Sequence, residues 1–206
     1  MARQRSHSPR PEVADSFGGV EGNARLTGSL GALLFALLAA EGVTILAIGR
    51  LLTPHVFIGL LLIPPTLVKI AATGWRFLRY YSGDPRYARR GPPPTALRLI
   101  GPVVVVLTLV VLGSGVALVV VPTSERALLL QLHQASFLLW FGATAIHVLG
   151  HVLDTASLAP RDWVARTRRQ VRGATTRQWV VVWSLVAGVV TAVAVTPLSY
   201  GWFNSL

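Results

Sequence analysis

Five long apolar runs, separated by polar segments, occupy most of this 206-residue chain, at about 26–49, 55–75, 99–121, 127–153 and 179–198. The runs do not alternate polar with apolar at every second residue, so they predict helices and exclude a membrane β-barrel. At about 1.5 Å per residue each is long enough to cross about 30 Å of hydrocarbon. Two charges fall inside them, Glu41 in the first and Lys69 in the second. The expected fold is all-α, a polytopic membrane bundle of five transmembrane helices with residues 26–200 as one unit. Residues 1–25 are expected to be a disordered cytoplasmic tail. No signal peptide is expected, because the first apolar run is too long and begins late. Residues 154–178 read as a basic cytoplasmic loop, in which Pro160, Trp163, Val164 and Val171 leave an interfacial helix open. Pro64 and Pro65 are expected to kink the second run.

Composition sharpens this reading. Charged residues make up 13% of the chain, against about 25% in soluble domains, which excludes a soluble globular or disordered protein. The net charge of +11 does not point to nucleic acid, because its arginines are sorted. Sixteen lie in the N-terminal tail and in the second and fourth loops, and only Arg50 and Arg126 lie on the other side. That split predicts an N-terminus inside and a C-terminus outside, with anionic lipid gathered at the inner face. The preference for Arg over Lys resembles high-GC bacterial proteins, so the expected location is the bacterial cytoplasmic (inner) membrane. The chain has no cysteine, which excludes disulfides, thiolate metal sites, iron–sulfur clusters and covalently attached haem. Nucleophile-elbow, phosphate-loop, dinucleotide and zinc-protease motifs are also absent.

Ionisable residues inside a bilayer are costly and usually mark function. Four of the five histidines (His55, His133, His147 and His151) fall at or within the apolar runs. His55 opens the second run, and His133 lies about two turns into the fourth. These two runs are parallel, so the two imidazoles reach similar depth and can make the two axial bonds of a haem iron. His133 and His147 are 14 residues apart, a separation of about 40° around a helix and about 21 Å along it. One helix could therefore serve two stacked haems. On the second run the equivalent inner position is Lys69, not histidine. His147, His151 and Asp154 share one helix face at i, i+4 and i+7, which is a metal-ligand spacing. Glu41 is placed to act as a proton site or as a partner to a histidine nitrogen.

Residues 50–155 resemble the haem-binding bundle of bacterial membrane b-type cytochromes, the superfamily of hydrogenase and formate dehydrogenase cytochrome b subunits. The resembling stretches are Thr-Pro-His55, the run Thr-Gly-Trp-Arg-Phe-Leu-Arg-Tyr-Tyr at 73–81, Gly113-Ser-Gly115, and His133 through His151. The resemblance implies haem b, with His55 and His133 as the axial metal ligands of an outer haem and Gly113 and Gly115 admitting the macrocycle. At the inner level three arrangements stay open. The level is empty, holds a haem with one ligand from His147 or His151, or uses Lys69 as a ligand or charge partner. One haem is favoured over two. The expected function is electron transfer as a relay or anchor subunit, with membrane lipid and a redox partner subunit or quinone as partners, and no self-sufficient enzyme activity. The alternatives are a non-catalytic scaffold subunit, or a small metal- or ion-handling protein using His147, His151 and Asp154.

Overall fold

Backbone amides in an apolar segment have no water to bond, so such segments close their hydrogen bonds within helices. Three of the helices end just before a glycine or proline that does not propagate them. The computed structural model describes residues 17–89 and 95–202. Long helices are α1 (Gly19–Leu46), α2 (Ile48–Tyr81), α4 (Thr95–Val120), α5 (Arg126–Leu158) and α7 (Ala174–Val195). Two single-turn helices, α3 (Pro85–Ala88) and α6 (Ala165–Arg168), lie between them. Gly83, at a φ of 78°, follows the end of α2. Pro122 follows α4, and Pro160 follows α5. Five helical stretches are long and apolar enough to cross a membrane, and the most apolar 18-residue window of each has a mean hydropathy of 1.5 to 2.9.

Three local expectations meet a different backbone. Residues 1–16 of the expected tail lie outside the described residues, but Gly19–Arg25 are already helical. The expected loop at 50–54 is helix. The chain turns at Ala47, and a single non-helical residue, Leu51, interrupts the start of α2. Pro54 explains that break: it sits in the first turn after Leu51, where a missing N–H costs nothing. Pro64 and Pro65 produce no non-helical residue. Residues 159–173 form a 3-10 turn and the single-turn α6 rather than a continuous interfacial helix.

The long helices pack as two pairs. α1 lies along α2, and α4 along α5; the pairs meet more sparsely, α1 against α5 and α2 against α4. α2 and α5 therefore oppose each other across the diagonal of a four-helix bundle. α7 packs outside it, against α2 and α1. Prolines help seat α7. Pro65 lacks the N–H that would bond the Leu61 carbonyl one turn earlier. Gly188 of α7 packs directly against that carbonyl, where a Cβ would collide with it. Around this contact Leu60, Leu61 and Ala192 form a buried cluster. A second cluster, Leu26, Leu30 and Val181, joins α1 to α7.

The arginine-rich end is closed by a buried ion network. The Arg177 guanidinium grips Asp162 in two bonds, Nε to Oδ2 at 2.6 Å and Nη2 to Oδ1 at 2.7 Å. Its Nη1 donates to the carbonyls of Phe17 and Arg172. Arg25 reaches the same carboxylate at 3.4 Å and the Thr167 carbonyl at 2.9 Å. Gln178 donates to the Asp162 carbonyl, and Ser29 to that of Ala159. Arg25, Asp162 and Arg177 are each no more than 2% exposed. Removing one partner from such a network leaves unpaired buried charge. Asp162→Ala is expected to cost about 3–5 kcal/mol, read as a lower denaturation midpoint of the detergent-solubilised protein. Asp154→Asn, at an exposed position, is expected to leave the midpoint unchanged.

Candidate functional site

The turn at Ala47 folds the start of α2 back beside the end of α1, which brings His55 against residues one to two turns before that end. His55 Nδ1 lies 3.0 Å from Glu41 Oε1 and 3.0 Å from Thr44 Oγ1. Both side chains are largely enclosed, at 21% exposure for His55 and 12% for Glu41. Gly59, one turn along α2, lies beside the carboxylate: a Cβ there would stand 3.5 Å from Glu41 Oε1, in ordinary contact. The second oxygen of Glu41 is buried without a partner.

Across the diagonal, α4 and α5 repeat this arrangement. His133 Nδ1 lies 3.1 Å from the Val111 carbonyl and 3.0 Å from Ser114 Oγ. Its ring packs on Gly115, where an added Cβ would come within 3.2 Å of Cε1. Gly113 is two residues away on the opposite face of the helix; it is exposed, with nothing near the position of a Cβ.

The hydrogen-bond network sets both tautomers. Thr44 spends its hydroxyl proton on the Glu41 carbonyl at 2.6 Å, so its oxygen accepts from His55. Ser114 likewise donates to the Val111 carbonyl, and a carbonyl only accepts. In both rings Nδ1 therefore donates, and in the neutral form of each ring Nε2 keeps the lone pair that a metal-ligating histidine would use.

The two ring centres are 6.3 Å apart, and the planes cross at 84°. An imidazole nitrogen lies about 1.1 Å from its ring centre and a metal–imidazole bond is about 2.0–2.1 Å. Two imidazoles on opposite sides of one metal ion thus have centres roughly 6–6.5 Å apart. The observed spacing suits one metal ion between them. Among the described residues no three His, Cys, Asp or Glu side chains converge as a metal set. The pair therefore offers two protein ligands and no more.

Lys69, His147 and His151 gather nearer the arginine-rich end. Lys69 Nζ donates to the Thr27 carbonyl of α1 at 2.9 Å. The rings of His147 and His151 lie 4.8 Å apart on α5. Asp154 is exposed on the next turn, and the H-x3-H-x2-D spacing does not close into a three-ligand site.

Comparison of the chain with protein-family models, curated proteins and solved structures finds no match.

Sequence reading singled out both imidazoles, Glu41 and Gly115. It did not single out Thr44, Ser114 or the Val111 carbonyl, which set the tautomers. A hydroxyl on each flanking helix, Thr44 three residues after Glu41 and Ser114 between two glycines, was the available signal. It also passed over Asp162, whose signal was an acid standing alone among the arginines of residues 161–177. The tautomers are testable directly. Nitrogen-15 spectra of imidazole-labelled protein should show Nδ1–H and bare Nε2 in both His55 and His133. An Nε2–H form at either would contradict the assigned network.

Proposed function

We propose that this chain is a multi-pass protein of the bacterial cytoplasmic membrane that holds one b-type haem between His55 and His133 and carries electrons as a relay or anchor subunit. One observation carries the reading: two diagonal imidazoles, each with Nδ1 anchored, stand with ring centres at the spacing of a shared metal, and no third ligand joins them among the described residues. A haem suits such a pair because its macrocycle supplies the other four iron ligands and leaves two axial positions for histidine. The sparse packing between the two helix pairs and the small Gly115 beside His133 support entry of a flat group. When bound, the iron supplies one-electron chemistry.

The chain's own residues do the rest. His55 and His133 would hold the iron, and Val111, Ser114 and Thr44 fix the orientation of their rings through Nδ1. Glu41 accepts from His55 Nδ1 and makes that imidazole a stronger donor. The apolar helices exclude water. The arginine distribution supports the N-terminus and the arginine-rich end on the cytoplasmic side, with the His55–His133 level toward the outer face. Arg79 over the Trp75 ring, and Arg98 against Tyr81, fit an inner headgroup boundary. In that orientation electrons pass between a quinol or cytoplasmic partner and an acceptor outside.

A reduced-minus-oxidised spectrum with pyridine haemochrome quantification tests the reading. About one haem b per chain is expected, lost in His55→Ala and in His133→Ala. Purification without haem after haem-replete expression would overturn it and leave a scaffold whose histidines only hydrogen-bond. In a haem-loaded protein, Glu41→Gln is expected to keep the haem and raise the midpoint potential. The rise should be on the order of 60 mV, a tenfold change in ferric-over-ferrous preference. An unchanged potential would remove Glu41 from that role.

A further inference from the structure

The cluster at the other end of the α2–α5 diagonal is not needed to hold the haem, and its groups lack the partner their chemistry calls for. We propose that Lys69, His147 and His151 form an oxyanion-binding site whose ligand is a phosphate group. This assignment stands independently of the haem.

The first observation is an ammonium without a counter-charge. Lys69 lies in the apolar part of α2 and forms no ion pair among the described residues; one of its protons goes to the Thr27 carbonyl. A cation in such a setting is expensive until an anion joins it. The second is independent: His147 Nδ1 is buried with no hydrogen-bond partner, although buried ring nitrogens are nearly always satisfied.

The third is the way three helices converge. Gly31 of α1 lets the three helices approach closely: a Cβ there would stand 3.2 Å from Lys69 Nζ and 3.3 Å from Thr155 Cγ2 of α5. Thr155 lies one turn beyond His151 on the same face of α5, so the ammonium approaches α5 on the histidine side. The other charges acting on His151 are Arg76 and the exposed Asp154. Two spare Lys69 protons and the ring N–H groups of His147 and His151 offer several donors. They match an anion with several acceptor oxygens better than a single-atom ion. Arg76 stands between the cluster and the arginine-rich end, where phosphate-bearing headgroups gather in the proposed orientation.

The phosphate comes either from an anionic lipid headgroup or from solution, and one titration separates the two. The full-length protein in non-ionic detergent is titrated calorimetrically with phosphatidylglycerol, with inorganic phosphate and with zwitterionic phosphatidylcholine. The expected result is a saturable phosphatidylglycerol site, at least tenfold weaker in Lys69→Gln and in His147→Gln and restored in Lys69→Arg. It should be retained when exposed Arg168, Arg169 and Arg172 are all changed to Gln, which excludes the surface loop as its origin. Binding of inorganic phosphate with the same dependence on Lys69 and His147 would identify a free anion as the ligand. The proposal is overturned if neither phosphate source binds, if both variants bind like the wild type, or if the two lipids bind alike. Circular dichroism of each variant confirms that any loss is not unfolding.

Discussion

Asp162 is the point on which the arginine-rich end depends. Its carboxylate is shared by two arginines from distant parts of the chain, Arg25 of α1 and Arg177 of α7. All three side chains are withdrawn from water, so none can be left unpaired without a penalty of several kcal/mol. One carboxylate thereby fixes where α1 begins, where the segment after α5 lies and where α7 enters. It also explains the structure of residues 159–173. A regular amphipathic helix would not place Asp162 between both guanidiniums while Arg25 and Arg177 also reach the carbonyls of Thr167 and Arg172.

With that end pinned, the remaining helices have limited freedom, and α2 takes the central position. It meets α1, α4 and α7 and faces α5 across the diagonal. Its prolines have separate consequences. Pro54 sits where the helix restarts after Leu51, just ahead of His55. Pro65 gives up one hydrogen bond and exposes a carbonyl to Gly188 of α7, so a local loss becomes a close helix–helix contact. The proline pair thus reads as an adaptation to packing rather than as a hinge.

The two ends of the α2–α5 diagonal differ in how far their polar groups are satisfied. At the His55–His133 end both Nδ1 atoms have acceptors, and the one orphaned atom is a carboxylate oxygen, Glu41 Oε2. At the Lys69–His147 end the ammonium has a carbonyl but no anion beside it, and His147 Nδ1 has no hydrogen-bond partner. In the readings proposed above, the first pattern suits metal ligands and the second suits donors to an anion. Hydrogen bonding separates them, although both lie on α2 and α5 at a repeated 14-residue interval, His55 to Lys69 and His133 to His147.

Residue pattern alone determined the helical class, the number of long apolar helices and the candidates on each, because length and apolarity are properties of a segment by itself. Spacing also placed His55 and His133 at one level. Only the tertiary structure decided which groups meet. Glu41 and His55 are neighbours because the chain reverses at Ala47, three residues before the loop expected at 50–54. Gly113 and Gly115 look equivalent on paper, yet helical rotation turns only Gly115 to a histidine. Asp162, Arg25 and Arg177 read as ordinary loop and tail charges because their separations, 137 and 15 residues, carry no periodicity. Long-range pairing depends on the path of the whole backbone, which no local pattern encodes.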